Sequence, residues 1–382
     1  MKILFISMPS VHVIRWIANL KDTSYELYWF DVLGRGRLET LDSVRQFTAW
    51  KKRKLPYNKG EYFLGKRFPF LYKTIQPFLE VTANEALEKI ILQIQPDIVH
   101  SFEMQSCSYP ILKTMRKYPN IKWLYSCWGS DLFYYQQFPN HLNEIKKVLK
   151  KINYLHTDCT RDLVLARQFG FSGTHVGVIP GGAGYDLSLL DEFKQPICHR
   201  KIILVKGYEH QFGRGLNIVK ALHLLEHEIQ DFEVVVFGAH TKVIDYIEFN
   251  HLNFKFFDRQ VLSHQELMAL MGKSLLYIGN SISDGMPNTL LEAIVMGVFP
   301  IQSNPGGTTA EIVNHKKNGL LIDNTEDVAA IKDLIILAIS NSKMRTNAFE
   351  ENQIISRNYL DYNSNQQKIV DLYQKIENDL CE

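Results

Sequence analysis

The stretch Ser281-Ile-Ser-Asp-Gly-Met-Pro-Asn-Thr-Leu-Leu-Glu-Ala-Ile-Val-Met-Gly297 decides the reading of this 382-residue chain. The run before it, Ser274-Leu-Leu-Tyr-Ile-Gly-Asn280, is short, apolar and of strand type. Pro287 followed by Asn-Thr-Leu-Leu-Glu-Ala-Ile fits a proline that opens a helix which Gly297 can close. Asp284 then lies in the loop and Glu292 about one turn inside the helix, with seven residues between them. The backbone amides of Asn288, Thr289 and Leu290 are expected to be open at the positive end of the helix dipole, an arrangement that suits a diphosphate. A carboxylate on each side of a bound diphosphate can accept hydroxyl hydrogens from sugars at its two ends. The plain alternative is an amphipathic helix with Leu290, Leu291, Ile294 and Val295 in the core and two solvated acids.

The pattern resembles the E-x7-E motif of the retaining glycosyltransferases of family 4 (glycosyl transferases group 1), in its common form E-G-x-P-N-x-L-L-E-A. The next forty or so residues continue the likeness. Gly297-Val-Phe-Pro-Ile-Gln-Ser-Asn-Pro-Gly-Gly307, Glu311-Ile-Val and Asn318-Gly-Leu-Leu-Ile322 resemble that family's G-x-P-V-I, G-G, E-I-V and N-G-L-L-V run. One departure is Asp284 in place of the first glutamate, shorter in reach by one methylene. The resemblance implies an α/β GT-B fold, two facing Rossmann-like domains with parallel sheets and a C-terminal helix that crosses back to the first domain.

Length and composition agree with two medium domains: 382 residues exceed the usual single core, and 46% hydrophobic residues can fill two. No run approaches the ~20 apolar residues needed to span a bilayer, and Met1-Lys-Ile-Leu-Phe-Ile-Ser-Met-Pro9 reads as a first strand and not a signal peptide. The five cysteines (Cys107, Cys127, Cys159, Cys198, Cys381) form no Cys-x-x-Cys pair, so neither a disulfide framework nor a zinc site is indicated. A cytoplasmic, reduced protein is the simplest account.

The net charge of +2 hides an asymmetry. Residues 51–73 carry eight basic groups against one acid, Glu61, interleaved with Tyr57, Tyr62, Phe63, Phe68, Phe70 and Tyr72. Basic groups near anionic lipid contribute roughly 1 kcal/mol each and aromatic rings favour the headgroup layer, so this segment suits peripheral contact with an anionic membrane, on the inner face of the cytoplasmic membrane. A solvated face or mobile loop is the competing reading. Lys146, Lys147, Lys150 and Lys151 form a second basic cluster at helical spacing. No recognised nucleic-acid module accompanies either patch, so nucleic acid is not an expected partner.

Apolar strand-like runs alternate with amphipathic helical ones, the mark of α/β domains with parallel sheets. Strands are expected near residues 3–7, 26–30, 97–101, 122–127, 154–157 and 175–179, then near 202–205, 233–237, 254–256, 275–278, 299–302 and 320–322. The Pro180-Gly-Gly-Ala-Gly184 run and the polar stretch to Arg200 read as the hinge. The division is therefore a first, acceptor domain over 1–190 and a second, donor domain over 198–355. The tail from about 356 to 382 is the returning helix.

First-half motifs extend the resemblance. Gln95-Pro-Asp-Ile-Val-His100 resembles the family's P-D-V-V-H segment, and Cys127-Trp-Gly-Ser-Asp131 its H-G-S-D segment, with Trp128 where histidine is common. Asp131 is a candidate to orient an acceptor hydroxyl, with a structural turn aspartate as the alternative. Ser10-Val-His-Val-Ile-Arg-Trp16 opens the first helix, and His12 is a candidate cleft residue near the donor sugar. At the start of the second half, Val205-Lys-Gly-Tyr-Glu-His-Gln-Phe-Gly-Arg-Gly215 resembles the family's G-R...K-G loop with order and spacing altered. Lys206 and Arg214 would supply the two cations that stabilise charge on a departing nucleoside diphosphate. No Asp-x-Asp occurs in the sequence, which favours catalysis without a metal.

The resemblance thus implies a retaining, metal-independent hexosyltransferase that moves a sugar from a nucleoside diphosphate sugar, expected to be a UDP-sugar, to a hydroxyl of a glycan or lipid-linked acceptor. Bacterial surface polysaccharide synthesis (lipopolysaccharide, O-antigen or capsule) is the setting it suggests. Glu292 would bind the ribose diol, Asp284 a sugar hydroxyl, and Gly285, Met286, Pro287, Asn288, Thr289 and Leu290 the sugar and diphosphate through their backbone. No cofactor beyond the donor is implied. Two other classes stay open: a non-catalytic scaffold or sugar-binding partner of the same fold, and a nucleotide-sugar 2-epimerase, which would consume its substrate without an acceptor.

Overall fold

The computed structural model describes residues 1–381. Two compact units result from its packing: Met1–Thr157 with Leu163–Gly177 and the chain from Leu372 form the first, and Asp158–Asp162 with Val178–Asp371 the second.

The first unit is built on a seven-stranded sheet of β1 (Lys2–Ser7), β2 (Glu26–Asp31), β3 (Arg45–Phe47), β4 (Ile98–Phe102), β5 (Lys122–Cys127), β6 (Tyr154–Thr157) and β7 (Thr174–Val178), in the order β3-β2-β1-β4-β5-β6-β7. The ladders are parallel, with Ile3 opposite Leu27 and Ile98, and Leu124 opposite Tyr154. Helices cover the sheet, so its central strands are buried throughout and read as continuous apolar runs. Leu4, Ile6, Phe30, Val99, Trp123, Tyr125 and Leu155 pack there with Leu87, Ile91 and Ile145 from the helices Ala83–Ile94 and Pro139–Leu149. Chain order reverses direction between β1 and β4, which places a crevice at the carboxyl ends of those strands.

The second unit repeats the plan with six strands: β8 (Ile202–Lys206), β9 (Glu233–Ala239), β10 (Lys255–Asp258), β11 (Ser274–Gly279), β12 (Phe299–Ser303) and β13 (Leu320–Ile322), ordered β10-β9-β8-β11-β12-β13 and parallel. Its reversal point lies between β8 and β11.

The stretch read as a hinge packs with the second unit. Tyr185 N–H donates to the Leu360 carbonyl (2.8 Å) and Tyr362 N–H to the Tyr185 carbonyl (2.9 Å). The buried Arg200 guanidinium donates to the carbonyls of Gln195, Met296 and Gly297. By packing, the second unit therefore starts at Val178 and also takes in Asp158–Asp162 and the chain up to Asp371, whereas the sequence division drew its lines at 190 and 356.

The last helix, Tyr362–Cys381, returns to the first unit from Leu372 onward. Its Tyr373 hydroxyl receives the Trp16 indole N–H (3.0 Å) and pairs with His100 Nδ1 (2.6 Å), while His100 Nε2, Ser126 Oγ and His156 Nδ1 continue the chain at 2.7 and 2.9 Å. All of these groups are buried. Burial, with His156 close by, holds His100 well below the usual histidine range, so the network is neutral. Among the described residues, no helix is long and apolar enough to cross a membrane.

Candidate active site

β11 runs into the loop Asn280–Pro287 and then the helix Asn288–Val295, as the sequence pattern predicts. Pro287 is the residue before the first helical turn and not within it, with φ −65° and ψ 119°. The helix ends in a left-handed Gly297 (φ 67°), where Val298 N–H donates to the Ala293 carbonyl and Gly297 N–H to that of Ile294. This paired ending spares the last carbonyls and requires a residue that tolerates positive φ. The apolar face carrying Leu290, Leu291, Ile294 and Val295 is buried.

Glu292 is also buried, and its Oε1 accepts from the half-exposed His264 Nε2 at 2.8 Å. A buried carboxylate on a core helix is costly unless it is partnered, and His264 is that partner here. Asp284 stays partly exposed. Burial raises its pKa above the usual carboxylate range, opposed by Lys206, the Gly285 N–H (3.0 Å to Oδ1) and Arg161. The Leu290 amide is not open as the sequence suggested. It donates to the Pro287 carbonyl at 3.0 Å, closing the first turn tightly.

Lys206 ends β8, beside β11 at the reversal point of the sheet. The loop from Gly207 to Arg214 is zipped along the loop after β11. Arg214 N–H donates to Asn280 O (2.9 Å), Ile282 N–H to Phe212 O (2.9 Å), and Gly213 bridges Ser281. Arg214 is fixed by Glu326 (Nε to Oε1, 2.5 Å) and by the carbonyls of Gly213 and His210. The Lys206 ammonium lies 4.8 Å and the Arg259 guanidinium 5.5 Å from the Tyr208 ring. Two cations, a partly exposed aspartate, a buried glutamate and a helix N-terminus thus share one carboxyl edge. Such a set can bind a polyanion that carries hydroxyls.

His12 and Asp131 lie in the first unit. His12 is in the first turn of the helix Val11–Ala18, capped by Ser10, with its ring 6.0 Å from that of Trp128. Asp131 is buried. Its carboxylate receives the Tyr125 hydroxyl (2.5 Å), the Trp128 N–H (3.0 Å) and the Cys127 thiol (3.2 Å). This geometry makes Asp131 the anchor of the Cys127–Gly129 turn, the structural alternative, and it orients Trp128 instead of meeting a ligand itself.

The sequence reading passed over Glu103, which comes just after β4 at the reversal point of the first sheet. It adopts φ 68°, uncommon for a residue with a side chain, and its carboxylate takes the Gln105 and Ser106 amides at 2.8 and 2.6 Å. Burial and the Asp131 charge push its pKa up to about 7. Only a contact with Asp131, distant in sequence, marks it out.

Among the described residues, one group of three side chains offers metal-binding atoms within 4.8 Å of one another: Asp158, Cys159 and Asp162. The Arg161 guanidinium already pairs with Asp162 (2.8 Å) and the Cys159 thiol donates to it (3.1 Å), so this cluster is neutralised by its own chain.

In the basic segment, Glu61 is buried under Arg53, which also reaches Glu80 (3.2 Å) and stacks on Tyr57 (4.0 Å). The one acid is thus withdrawn from the surface. Tyr62, Phe63, Phe68, Phe70, Leu71 and Phe78 stand exposed on the helices Glu61–Arg67 and Pro69–Leu79, among exposed Lys59, Lys66, Arg67 and Lys73.

Comparison with known proteins bears on both units. Residues 202–355 match the family described as glycosyl transferases group 1, and residues 2–160 match glycosyl transferase 4-like. Among solved structures, sucrose-phosphate synthase from Thermosynechococcus elongatus is similar over 99% of this chain and 100% of its own, with TM-score 0.72 and 14% identity. The Anabaena protein HepE, solved in complex with UDP-glucose, is similar over 98% and 100%, with TM-score 0.65 and 16% identity. A glycosyltransferase from Rickettsia africae is similar over 98% of each chain, with TM-score 0.63 and 18% identity. At such identities the likeness establishes the GT-B fold and not a substrate. Among curated proteins no sequence matches this chain. With its second unit matched by the glycosyl transferases group 1 family and its first by the glycosyl transferase 4-like family, the chain is a group 1-like glycosyltransferase of GT-B fold.

Proposed function

We propose that the protein transfers a sugar, with retention of anomeric configuration, from a UDP-sugar to a hydroxyl of a glycan or lipid-linked acceptor in bacterial surface polysaccharide synthesis. The observation that carries this reading is the shared carboxyl edge of the second sheet. There Lys206 and the zipped loop bearing Arg214 meet the Asp284 loop and the N-terminus of the Glu292 helix. The UDP-glucose bound by the Anabaena protein of the same fold supports the choice of donor.

In this reading Glu292, held by His264, binds the ribose diol. Asp284 accepts from a sugar hydroxyl, and the backbone of Gly285 to Thr289 takes the sugar and diphosphate. Lys206 and Arg214 stabilise the leaving diphosphate as its charge grows. Fixed cations in a site shielded from water contribute most when charge develops in the transition state. Proton removal from the acceptor falls to a donor phosphate oxygen in a front-face displacement, so no metal is assigned a role. On the acceptor side, His12, Trp128 and Glu103 stand at the carboxyl end of the first sheet. The exposed aromatic and basic face of residues 51–73 brings the enzyme to an anionic membrane, where a lipid-linked acceptor resides.

The test is transfer from labelled UDP-sugars to membrane extracts, with the anomeric configuration of the product read by proton NMR. An α-linked product from an α-linked donor is expected. Inversion would overturn the mechanism, and UDP-sugar consumption without any acceptor would favour the epimerase.

A further inference from the structure

Residues Asp158–Asp162 come directly after β6 of the first sheet in sequence, yet they pack with the second unit, against the Ser281–Pro287 loop. Asp158 is buried, and its Oδ2 accepts the Met286 N–H at 3.1 Å. Its other oxygen, Oδ1, is buried without a hydrogen-bond partner. Arg161 donates through Nη2 to the Asp284 carbonyl (2.9 Å) and through Nη1 to the Pro305 carbonyl (2.8 Å), while its Nε holds the fully buried Asp162 (2.8 Å). The guanidinium fork therefore ties the loop after β11 to the loop after β12. Glu311 fixes the clamp from outside, its two oxygens taking the Thr160 and Arg161 amides at 2.7 and 3.0 Å.

The fit is close enough to dictate a residue. A Cβ placed on Gly285 would lie 2.3 Å from Asp158 Oδ2 and 2.8 Å from Oδ1, so only glycine lets the loop backbone rest on this carboxyl. Behind Met286 and Leu291 is a cavity of about 340 Å³, also bordered by Asp158 and Glu311. A loop released from the clamp has room to settle into it.

We propose that Asp158 and Arg161 are positioning residues of the donor site, holding the backbone of Asp284–Met286 so that the Asp284 carboxyl and the helix N-terminus meet the nucleotide in one geometry. This rests on the donor reading proposed for the second sheet. The need for such a clamp is physical: a loop that must place donors on a diphosphate loses its value if it wanders, and a misplacement of about 1 Å can cost about a hundredfold. Met286 N–H needs an acceptor oxygen and not a negative charge, and burial beside Asp162 drives Asp158 well above the carboxylate range. Asparagine at 158 can therefore do the same work. Lysine at 161 cannot, because an ammonium does not span three partners in a fork.

The experiment is hydrogen exchange on the full chain together with calorimetric titration of UDP, for wild type, Asp158→Ala, Asp158→Asn, Arg161→Lys and Gly285→Ala. Exchange in 281–290 should rise about tenfold or more in the alanine and lysine variants, with the peptides of the second sheet unchanged. UDP affinity should fall between about tenfold and about a hundredfold in the same variants. Asp158→Asn should match wild type in both measurements. Wild-type exchange and affinity in Arg161→Lys and Gly285→Ala would overturn the proposal, and so would Asp158→Asn behaving as Asp158→Ala. If UDP fails to bind wild type as well, the donor reading falls while loop exchange still decides whether the clamp positions the loop. Gly285→Ala leaves every buried partner in place, so it serves if the other variants do not fold.

Discussion

The carboxyl edge of the second sheet carries ionic groups held in register by backbone pairing, whereas the interior behind the carboxyl edge of the first sheet is closed by a neutral network. In the second, Arg214 is locked by Glu326, Glu292 by His264, and the loops after β8 and β11 are zipped together. In the first, His100, Ser126, His156, Tyr373 and Trp16 satisfy one another without net charge, and the near-neutral Glu103 and the Trp128–His12 pair are left at the rim. The contrast teaches a division of labour. A diphosphate is the same in every nucleotide sugar and rewards fixed, charged groups. A hydroxyl acceptor varies, and its edge can consist of a stable neutral frame with few exposed specifics.

That contrast breaks most visibly at Lys206. If the charged edge binds a departing diphosphate, Lys206→Ala should lower kcat/KM for the UDP-sugar by about 10² to 10³ with little change in melting, as initial rates of UDP release would show. An unchanged rate would place the cations outside the chemistry.

Next is the titration of Glu103. Its folded pKa of about 7 exceeds the ordinary glutamate value of 4.5, so the native state binds more protons than the unfolded one between those values. Stability is therefore greatest below about 4.5 and falls as pH rises to about 7, by up to about 3 kcal/mol. Urea midpoints of wild type should decline across that window, and those of Glu103→Gln should decline less. Parallel curves would show that Glu103 is not held near neutrality.

Tyr373→Phe probes the neutral frame. It removes the partner of the buried Trp16 N–H and of His100, which should cost about 1–3 kcal/mol in urea unfolding. UDP affinity should not move. A loss of UDP binding would show that the frame and the charged edge are not independent.

The smallest effect on stability is expected at the exposed aromatics. Phe63→Ser with Phe70→Ser should change folding free energy by less than about 0.5 kcal/mol each, because neither ring is buried. Yet sedimentation with vesicles containing phosphatidylserine should fall sharply. Equal sedimentation would remove the membrane from the account.

Twelve strands were legible in the sequence because parallel strands covered on both faces are apolar throughout, so Val99 and Leu276 announce themselves. β3 was not, since Arg-Gln-Phe at a sheet edge has no such run. The helix after Pro287 was readable from its proline and its closing Gly297, although the Leu290 amide is spent on the Pro287 carbonyl. What stayed hidden depends on contacts between distant residues. Arg161 meets Asp284 across more than a hundred residues of chain, Glu103 is perturbed by Asp131, and neither sits in a pattern that local spacing reveals. Asp131 was visible as a motif, but whether its oxygens were open or engaged was decided by Tyr125 and the turn it anchors.

The central claim, a nucleoside diphosphate sugar at the carboxyl edge of the second sheet, is tested most directly by thermal shift with a panel of UDP-, GDP- and ADP-sugars on wild type and Glu292→Ala. A ligand held at about a hundred times its dissociation constant stabilises the fold by about 2.7 kcal/mol, enough to move the melting temperature measurably. The account predicts a shift with a UDP-sugar that disappears in Glu292→Ala. No shift with any nucleotide sugar at millimolar concentration, from a well-folded sample, would contradict it and leave a scaffold of this fold as the better reading.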